Sequence, residues 1–278
     1  MVNPLRVAQL LWETLPLLNV PARTLSDEDA FDLMMDLAEL GQIKLFDKVV
    51  TDPSGKITSP RPGQQTKIVP VIADLPFLKA RGENPGPNGS LGAVQQTYFS
   101  PTPNFAIVLY KLAKMLIDDW GATQVVYGGI GAGGNAVVTD CHSTGHCVDF
   151  YGAKTKRGNF DVRHDWWMRP VYDSGGKLHP SEGKGWAMDQ WKDETNTYYR
   201  LAMSDAPEDR APAEFFAAIY EFAYNETRAE AFDINPLDFT SGVKLRMGFV
   251  MHPDYPRKAT PGRQSHNDHI HFQLGNTR

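Results

Sequence analysis

Cysteine is nearly absent from this 278-residue chain, which carries only Cys141 and Cys147 and therefore at most one internal disulfide. No apolar run is long enough to span a bilayer. The N-terminal Met1-Val-Asn-Pro-Leu-Arg-Val-Ala-Gln-Leu-Leu-Trp-Glu13 lacks the long apolar region and cleavage site of a secretory leader, so no signal peptide is expected. There is no block of basic residues, and the net charge is -5. Nucleic acid and an anionic membrane surface are thus poor choices for the main partner. A phosphate-binding Gly-Lys-Ser/Thr is missing, and no internal repeat is evident. What remains is a chain with 41% apolar residues, able to bury a sizeable core as one large domain or as a catalytic domain with an extension. It is expected to be soluble and globular.

Histidine is scarce too, with 8 in all, yet three crowd into Gln264-Ser-His-Asn-Asp-His-Ile-His-Phe-Gln-Leu-Gly275 as His266, His269 and His271. His-Ile-His-Phe-Gln-Leu alternates as a strand does, placing His269 and His271 on one face and Ile270 and Phe272 on the other. Two adjacent imidazoles make poor core residues, because each ring needs hydrogen-bond partners that an apolar interior lacks. A chance surface cluster or an artificial tag explains them less well, since ordinary residues interrupt the histidines and a strand end follows. Upstream, His142-Ser-Thr-Gly145-His-Cys-Val-Asp149 supplies a further imidazole and a carboxylate, with a turn at Gly145 to bring the two together. Imidazoles and a carboxylate suit one zinc ion, which prefers tetrahedral nitrogen and oxygen ligation. Hydrolytic sites commonly leave its fourth position to water, whose pKa falls to about 7.

The paired motifs resemble the LAS metallopeptidases, the group that contains lysostaphin-type, D-Ala-D-Ala carboxypeptidase and Hedgehog-type zinc domains. Their signature reads Ser-x-His-x-x-Gly-x-Ala-x-Asp and later His-x-His. Here Asp140 stands in the place of Ser and Cys147 in that of Ala, while His142, Gly145, Asp149, His269 and His271 fall in register. His266, three residues before His269, narrows the resemblance to the penicillin-insensitive murein endopeptidases, which end in His-x-x-His-x-His and cut peptide cross-links in peptidoglycan. The likeness covers about residues 104 to 278.

The resemblance implies that His142, Asp149 and His271 ligate zinc, that His269 is the general base for the metal-activated water, and that His266 is auxiliary. An imidazole near a metal titrates close to the working pH, as general base catalysis requires. Spacing alone does not separate base from ligand, because either His269 or His271 reaches an ion from that strand. Asp268 either orients an imidazole or is a solvated loop carboxylate. Related peptidases often place an Arg or Gln upstream of the first ligand, where this chain reads Tyr127-Gly-Gly-Ile-Gly-Ala-Gly-Gly-Asn135. Candidates for stabilising the oxyanion are therefore the zinc itself, Asn135, Tyr127, Arg163 and Arg169. The run also contains Gly129-x-Gly131-x-x-Gly134, but the Ala-Val-Val-Thr that follows reads as a strand and not as the helix a dinucleotide site needs. A flexible turn beside the metal accounts for it better. His146, inside the ligand loop, is a further candidate, whereas His164, His179 and His252 stand alone.

Cys141 and Cys147 flank the loop that carries His142. They either pair, clamping the turn and pointing to an oxidising destination, or stay as two buried thiols or as thiols adjoining zinc, with the His/Asp set preferred over either cysteine as ligand; spacing does not supply the Cα separation that decides. The functional expectation is a zinc peptidase that hydrolyses stem-peptide or cross-link bonds of peptidoglycan in the periplasm or cell wall. With no leader evident, delivery falls to a secretion or injection apparatus or to phage lysis, or a leader has already been removed, with a carrier and an immunity protein as further partners. A non-catalytic Hedgehog-type recognition domain and a zinc-dependent cell-wall amidase use the same ligand types.

The expected fold is α+β: a small antiparallel sheet bearing the zinc site, flanked by helices. Residues 1–103 read as a helical and Pro/Gly-rich extension, and 104–278 as the peptidase domain. Ser26 caps a helix with Asp27, Glu28 and Asp29 in its first turn and Phe31, Met34, Met35, Leu37 and Ala38 on its apolar side; Gly41 ends it. Residues 51–103, with Asn84-Pro-Gly-Pro-Asn-Gly89, read as an irregular connection. A helix is expected from Asn104 to Trp120, stopped by Gly121, and another from near Pro212 to before Asp233, with strands near Phe249 and His269. Between about 152 and 210 lies an insertion with Trp166, Trp167, Trp186, Trp191, Tyr198 and Tyr199, read mostly as core and partly as a wall for glycan or stem peptide.

Overall fold

The structure, a computed structural model, describes residues 16–80, 93–130, 141–165, 188–192, 197–201, 210–227, 248–251 and 269–275. In chain order the elements are helix α1 (Asp27–Glu39), strands β1 (Ile43–Leu45), β2 (Val50–Thr51), β3 (Ile57–Ser59), β4 (Ile68–Ile72), β5 (Leu75–Ala80) and β6 (Ala93–Val94), then helix α2 (Pro103–Trp120) and β7 (Gln124–Tyr127). A short helix α3 (Cys141–Thr144) leads into β8 (Cys147–Thr155), β9 (Gly158–Asp161) and the single turn α4 (Val162–Asp165). Strands β10 (Met188–Lys192) and β11 (Thr197–Leu201), helix α5 (Arg210–Thr227), β12 (Phe249–Met251) and β13 (Ile270–Gln273) complete the order.

Local sequence explains the helix ends. The Ser26 hydroxyl accepts a hydrogen bond from the Asp29 amide at 3.0 Å, and the three acids of the first turn sit at the positive end of the α1 dipole. Gly41 follows at φ 74, and Gly121 closes α2 at φ 61, both left-handed turns that a Cβ would strain. α2 is buried from Pro103 to Tyr110 on every side, so its first half threads the core. α5 begins at Arg210 and runs through the predicted Pro212 start as far as Thr227. Its Glu226 carboxylate accepts from the Lys111 ammonium of α2 at 3.0 Å and from the Ala22 amide at 2.7 Å, joining three parts of the chain.

Nine strands form one sheet in the order β1-β4-β5-β7-β8-β13-β12, with β6 beside β5 and β9 beside β8. β5 and β7 run parallel, whereas β7, β8, β13 and β12 pair antiparallel. The α+β class is as expected, but the sheet reaches further into the N-terminal part. Residues 51–103, read as irregular, hold β2 to β6, and β4 and β5 lie in the same sheet as β8. β4 and β5 are joined by the two-residue turn Ala73-Asp74, at φ 49 and 62.

Strand alternation assigns the two faces. Val148 and Phe150 of β8 pair with Phe272 and Ile270 of β13 and face the helices. Phe105 of α2 lies 6.3 Å from the Phe272 ring, and Phe215 of α5 lies 6.3 Å from Phe150 and stacks on Phe160 at 4.4 Å. Each such buried ring contributes about 1.5–3 kcal/mol by leaving water. The alternate residues, Cys147, Asp149 and Tyr151 on β8 and His271 on β13, face the other way. Of the insertion's aromatics, Trp166, Trp167 and Trp186 lie outside the described residues. Trp191 and Tyr198 pair across the β10–β11 hairpin, next to Gln190 and Tyr199.

Candidate metal centre

Register builds the centre first. His271 lies directly opposite Asp149 in the β13–β8 ladder, and its Nδ1 is 2.7 Å from Asp149 Oδ1. His269, two residues earlier and on the same side, brings Nε2 to 3.1 Å from the same oxygen. α3 delivers His142, whose Nε2 is 3.3 Å from Asp149 Oδ2. The reversal that returns the chain from α3 to β8 is the predicted turn at Gly145, at φ 75. The structure thus gathers His142, His269 and His271 around the Asp149 carboxylate. His142 reaches it from the short helix α3, within the segment that the sequence reads as a loop. His266, Asp268, Asp140, Asn135 and Arg169 lie outside the described residues, as do His179 and His252; of Arg163 and His164 on α4, only the backbone is described.

The glycine run has a concrete role at its start. A Cβ on Gly128 would come 2.9 Å from the Asp149 Cβ, and one on Gly129 would come 2.8 Å from His142 Nδ1. These two glycines clear space for the Asp149 and His142 side chains. The Gly129 carbonyl lies 3.2 Å from His142 Nδ1 and accepts its N–H, which leaves the lone pair of the neutral ring on Nε2. A lone pair facing a carboxylate oxygen is repulsive. That arrangement calls for a second proton on His142 or for a cation between Nε2 and Asp149, and a carbonyl-anchored imidazole is the usual form of a metal-ligating histidine.

Burial alone would raise the Asp149 carboxyl, but hydrogen bonds from His142, His269 and His271 outweigh it and hold the group well below the usual carboxylate range. His271 is shifted the other way from its charged form: burial pushes its imidazole below 6.5, and the hydrogen bond to Asp149 opposes this only in part. His146 is likewise lowered by burial, with the Asp27 charge working against the shift. A carboxylate kept ionised and a buried imidazole kept neutral are the protonation states a metal requires. For the metal-free protein, the sign follows from which state binds more protons. The unfolded chain takes up protons on His146 and His271 as pH drops through 6.5, while the folded chain resists them. Stability is therefore full above 6.5 and is lost as pH falls below it, with Asp149 adding a further loss in strong acid. Thermal midpoints of metal-free protein between about pH 8 and about pH 5 should fall steadily on the acid side; a flat profile would contradict this.

Ligand atoms of Asp149, His269 and His271 lie within 4.8 Å of one another, and so do those of Cys141, His142, Cys147 and His271. The protein therefore has His, Cys and Asp groups able to hold a metal ion. The cysteines themselves are paired, with a Cα separation of 5.5 Å that suits a disulfide, which settles the alternative that spacing left open.

Among the other candidates, Tyr127 packs its ring against Phe77 and Phe99 on the core face, and burial pushes its phenol far up. It does not point to the centre. His146 belongs to neither group of converging ligand atoms. Tyr151 does belong to the site and was not singled out from the sequence: its ring lies 5.2 Å from that of His269. The signal was present, since Cys147, Asp149 and Tyr151 alternate along one strand face.

No family model, curated protein or solved structure matches the chain. Among the described residues, no helix is long and apolar enough to cross a membrane.

Proposed function

We propose that this chain is a zinc-dependent peptidase that hydrolyses stem-peptide or cross-link amide bonds of peptidoglycan. The observation that carries the reading is one carboxylate, Asp149, met by nitrogens of His271, His269 and His142 at 2.7, 3.1 and 3.3 Å. The donor set fits zinc in element and in charge state: imidazole nitrogen and carboxylate oxygen, the carboxylate ionised and His142 anchored on a backbone carbonyl. By the resemblance to the LAS metallopeptidases, His142, Asp149 and His271 would hold the ion, which would supply Lewis acidity at the scissile carbonyl and acidify a water to a pKa of about 7.

The remaining work falls to the chain. His269 is the general base, taking a proton from the attacking water and returning it to the leaving amine. Its position is fixed on one side by Asp149 and on the other by the Tyr151 ring, and at 7% exposure it is shielded from bulk water. His266 has an auxiliary role in the same resemblance. The motif spacing supports peptidoglycan as the substrate, and a disulfide beside the centre supports work in an oxidising compartment, the periplasm or the cell wall. A carrier and an immunity protein would be its partners.

The test combines zinc content with mass spectrometry of digested sacculi for wild type, His269→Ala and His271→Ala. Wild type should hold one zinc and release cross-link peptides with new peptide termini. His269→Ala should keep the metal and lose turnover by about 10²–10⁴-fold, the usual range for a general base. His271→Ala should lose both. Zinc without any cleavage product would instead favour a recognition domain, and release of free lactyl-ether glycan with L-Ala termini would favour an amidase.

A further inference from the structure

Cys141 and Cys147 lie nearer the centre than a clamp on the turn requires. The Cys141 sulfur is 3.7 Å from Nε2 of His271, while Nδ1 of the same ring faces Asp149. Ligand atoms of Cys141, His142, Cys147 and His271 all fall within 4.8 Å of one another. Both sulfurs are buried, Cys147 fully and Cys141 to 8% exposure. While they are bonded to each other, neither has a thiolate to give. Once reduced, two thiolates and two imidazoles make a complete tetrahedral zinc shell with no position left for water or substrate. The groups Asp149, His269, His271 and Cys141, His142, Cys147, His271 compete for His271, whose Nδ1 faces Asp149 and whose Nε2 faces the Cys141 sulfur.

We propose that the Cys141–Cys147 disulfide selects between two metal sites that share His271. Paired cysteines leave the open set around Asp149; reduced cysteines capture the ion in a closed site formed by Cys141, His142, Cys147 and His271. The metal exchange stands on the ligand cluster alone, whereas its effect on hydrolysis, which is silencing, rests on the peptidase reading. In the reductive step a dithiol gives two electrons and two protons to the sulfur–sulfur bond, yielding two thiols, and leaves as its own cyclic disulfide. Each thiol releases its proton to solvent as its sulfur bonds the ion. Soft thiolates then hold zinc in preference to the harder carboxylate oxygen. A chain made in a reducing compartment is in this way metal-loaded but inert; at its destination a disulfide oxidant takes two electrons from the Cys141 and Cys147 thiolates and two protons from solvent, leaves as two thiols, and so re-forms the bond and opens the site.

Cobalt(II) reads the exchange directly, because a thiolate ligand adds a charge-transfer absorption in the near ultraviolet. The full chain is titrated with cobalt(II) as oxidised protein, and again after reduction by a dithiol that is removed under argon. The oxidised form should bind one equivalent without the thiolate band. The reduced form should show the band saturating at one equivalent, keep its far-ultraviolet circular dichroism once loaded, and lose the band on reoxidation. A Cys141→Ser, Cys147→Ser double variant should bind cobalt without the band under both conditions. Cobalt bound to reduced wild type with no thiolate band, or a reduced and loaded chain that does not hold its fold, overturns the proposal. Sacculus digestion is followed in parallel with zinc: turnover in the oxidised form only is expected, and equal turnover in both forms overturns the silencing. No digestion in either form counts against the peptidase reading and leaves the cobalt result to judge the exchange.

Discussion

Asp149→Asn should leave the fold intact and remove both metal binding and turnover. The substitution keeps the shape of the side chain, so the packing of β8 against β13 is undisturbed. What it removes is the charge on which His142, His269 and His271 converge. Loss of a residue that only orients a ligand costs about 10–100-fold in metal affinity, so loss of the one anionic ligand should cost at least about 100-fold. Turnover should fall in step, because without the ion no water is activated, and without the carboxylate His269 loses the 3.1 Å contact that positions it. The metal-free variant should also become more acid-sensitive. Asp149 is the group that partly offsets the effect of burial on His271, and without it the imidazole is still harder to protonate in the folded state. Zinc competition against a chromophoric chelator, followed by sacculus digestion, measures both losses. Wild-type affinity in oxidised D149N protein would remove Asp149 from the ligand set.

The sequence made this centre legible because strands and tight turns translate spacing into position with few intermediates. His269 and His271, two apart, had to share a face, and the pairing of His271 with Asp149 needed only that β13 lie beside β8. The helices were legible for the same kind of reason: Ser26 and Gly121 are caps whose side chain, or lack of one, fixes the local backbone. The N-terminal strands were not. The β4–β5 turn places Ala73 and Asp74 at positive φ, where Asn-Gly is the usual choice, so the hairpin carries no turn signal. β4 also contains Pro70 as a buried residue, and proline in a strand reads as a break. The pairing of the cysteines was undecidable from spacing, since six positions of separation are compatible with a disulfide only if α3 and the Gly145 turn bring the Cα atoms together. Tyr151 was overlooked because an aromatic on a central strand reads as core, and only its contact with His269 assigns it to the site.

Gly145→Ala should be strongly destabilising. Gly145 sits at φ 75, where an added Cβ costs about 1–2 kcal/mol from backbone strain alone. The same Cβ would also fall against the Ser100 carbonyl oxygen and lie 3.0 Å from both Pro101 Cα and Gln65 Nε2. That wall does not yield easily. Phe99 is bridged to Ile68 by hydrogen bonds of 2.9 and 3.1 Å, and the Thr102 amide donates to the Gly145 carbonyl itself at 2.9 Å. With overpacking at about 1–3 kcal/mol, the expected loss is about 2–5 kcal/mol, or roughly 5–15 °C in thermal midpoint. The strain is relieved most cheaply by moving α3, which holds His142 through a turn and has no strand ladder of its own. His142 should therefore withdraw from Asp149 while His269 and His271 stay in their ladder, and zinc affinity should fall more than the loss of stability alone would require. The Cys141–Cys147 bond spans this turn and limits how far α3 can go. Thermal midpoint and zinc affinity should consequently drop further in reduced than in oxidised G145A protein, and equal drops in the two forms would show that the disulfide does not hold the turn.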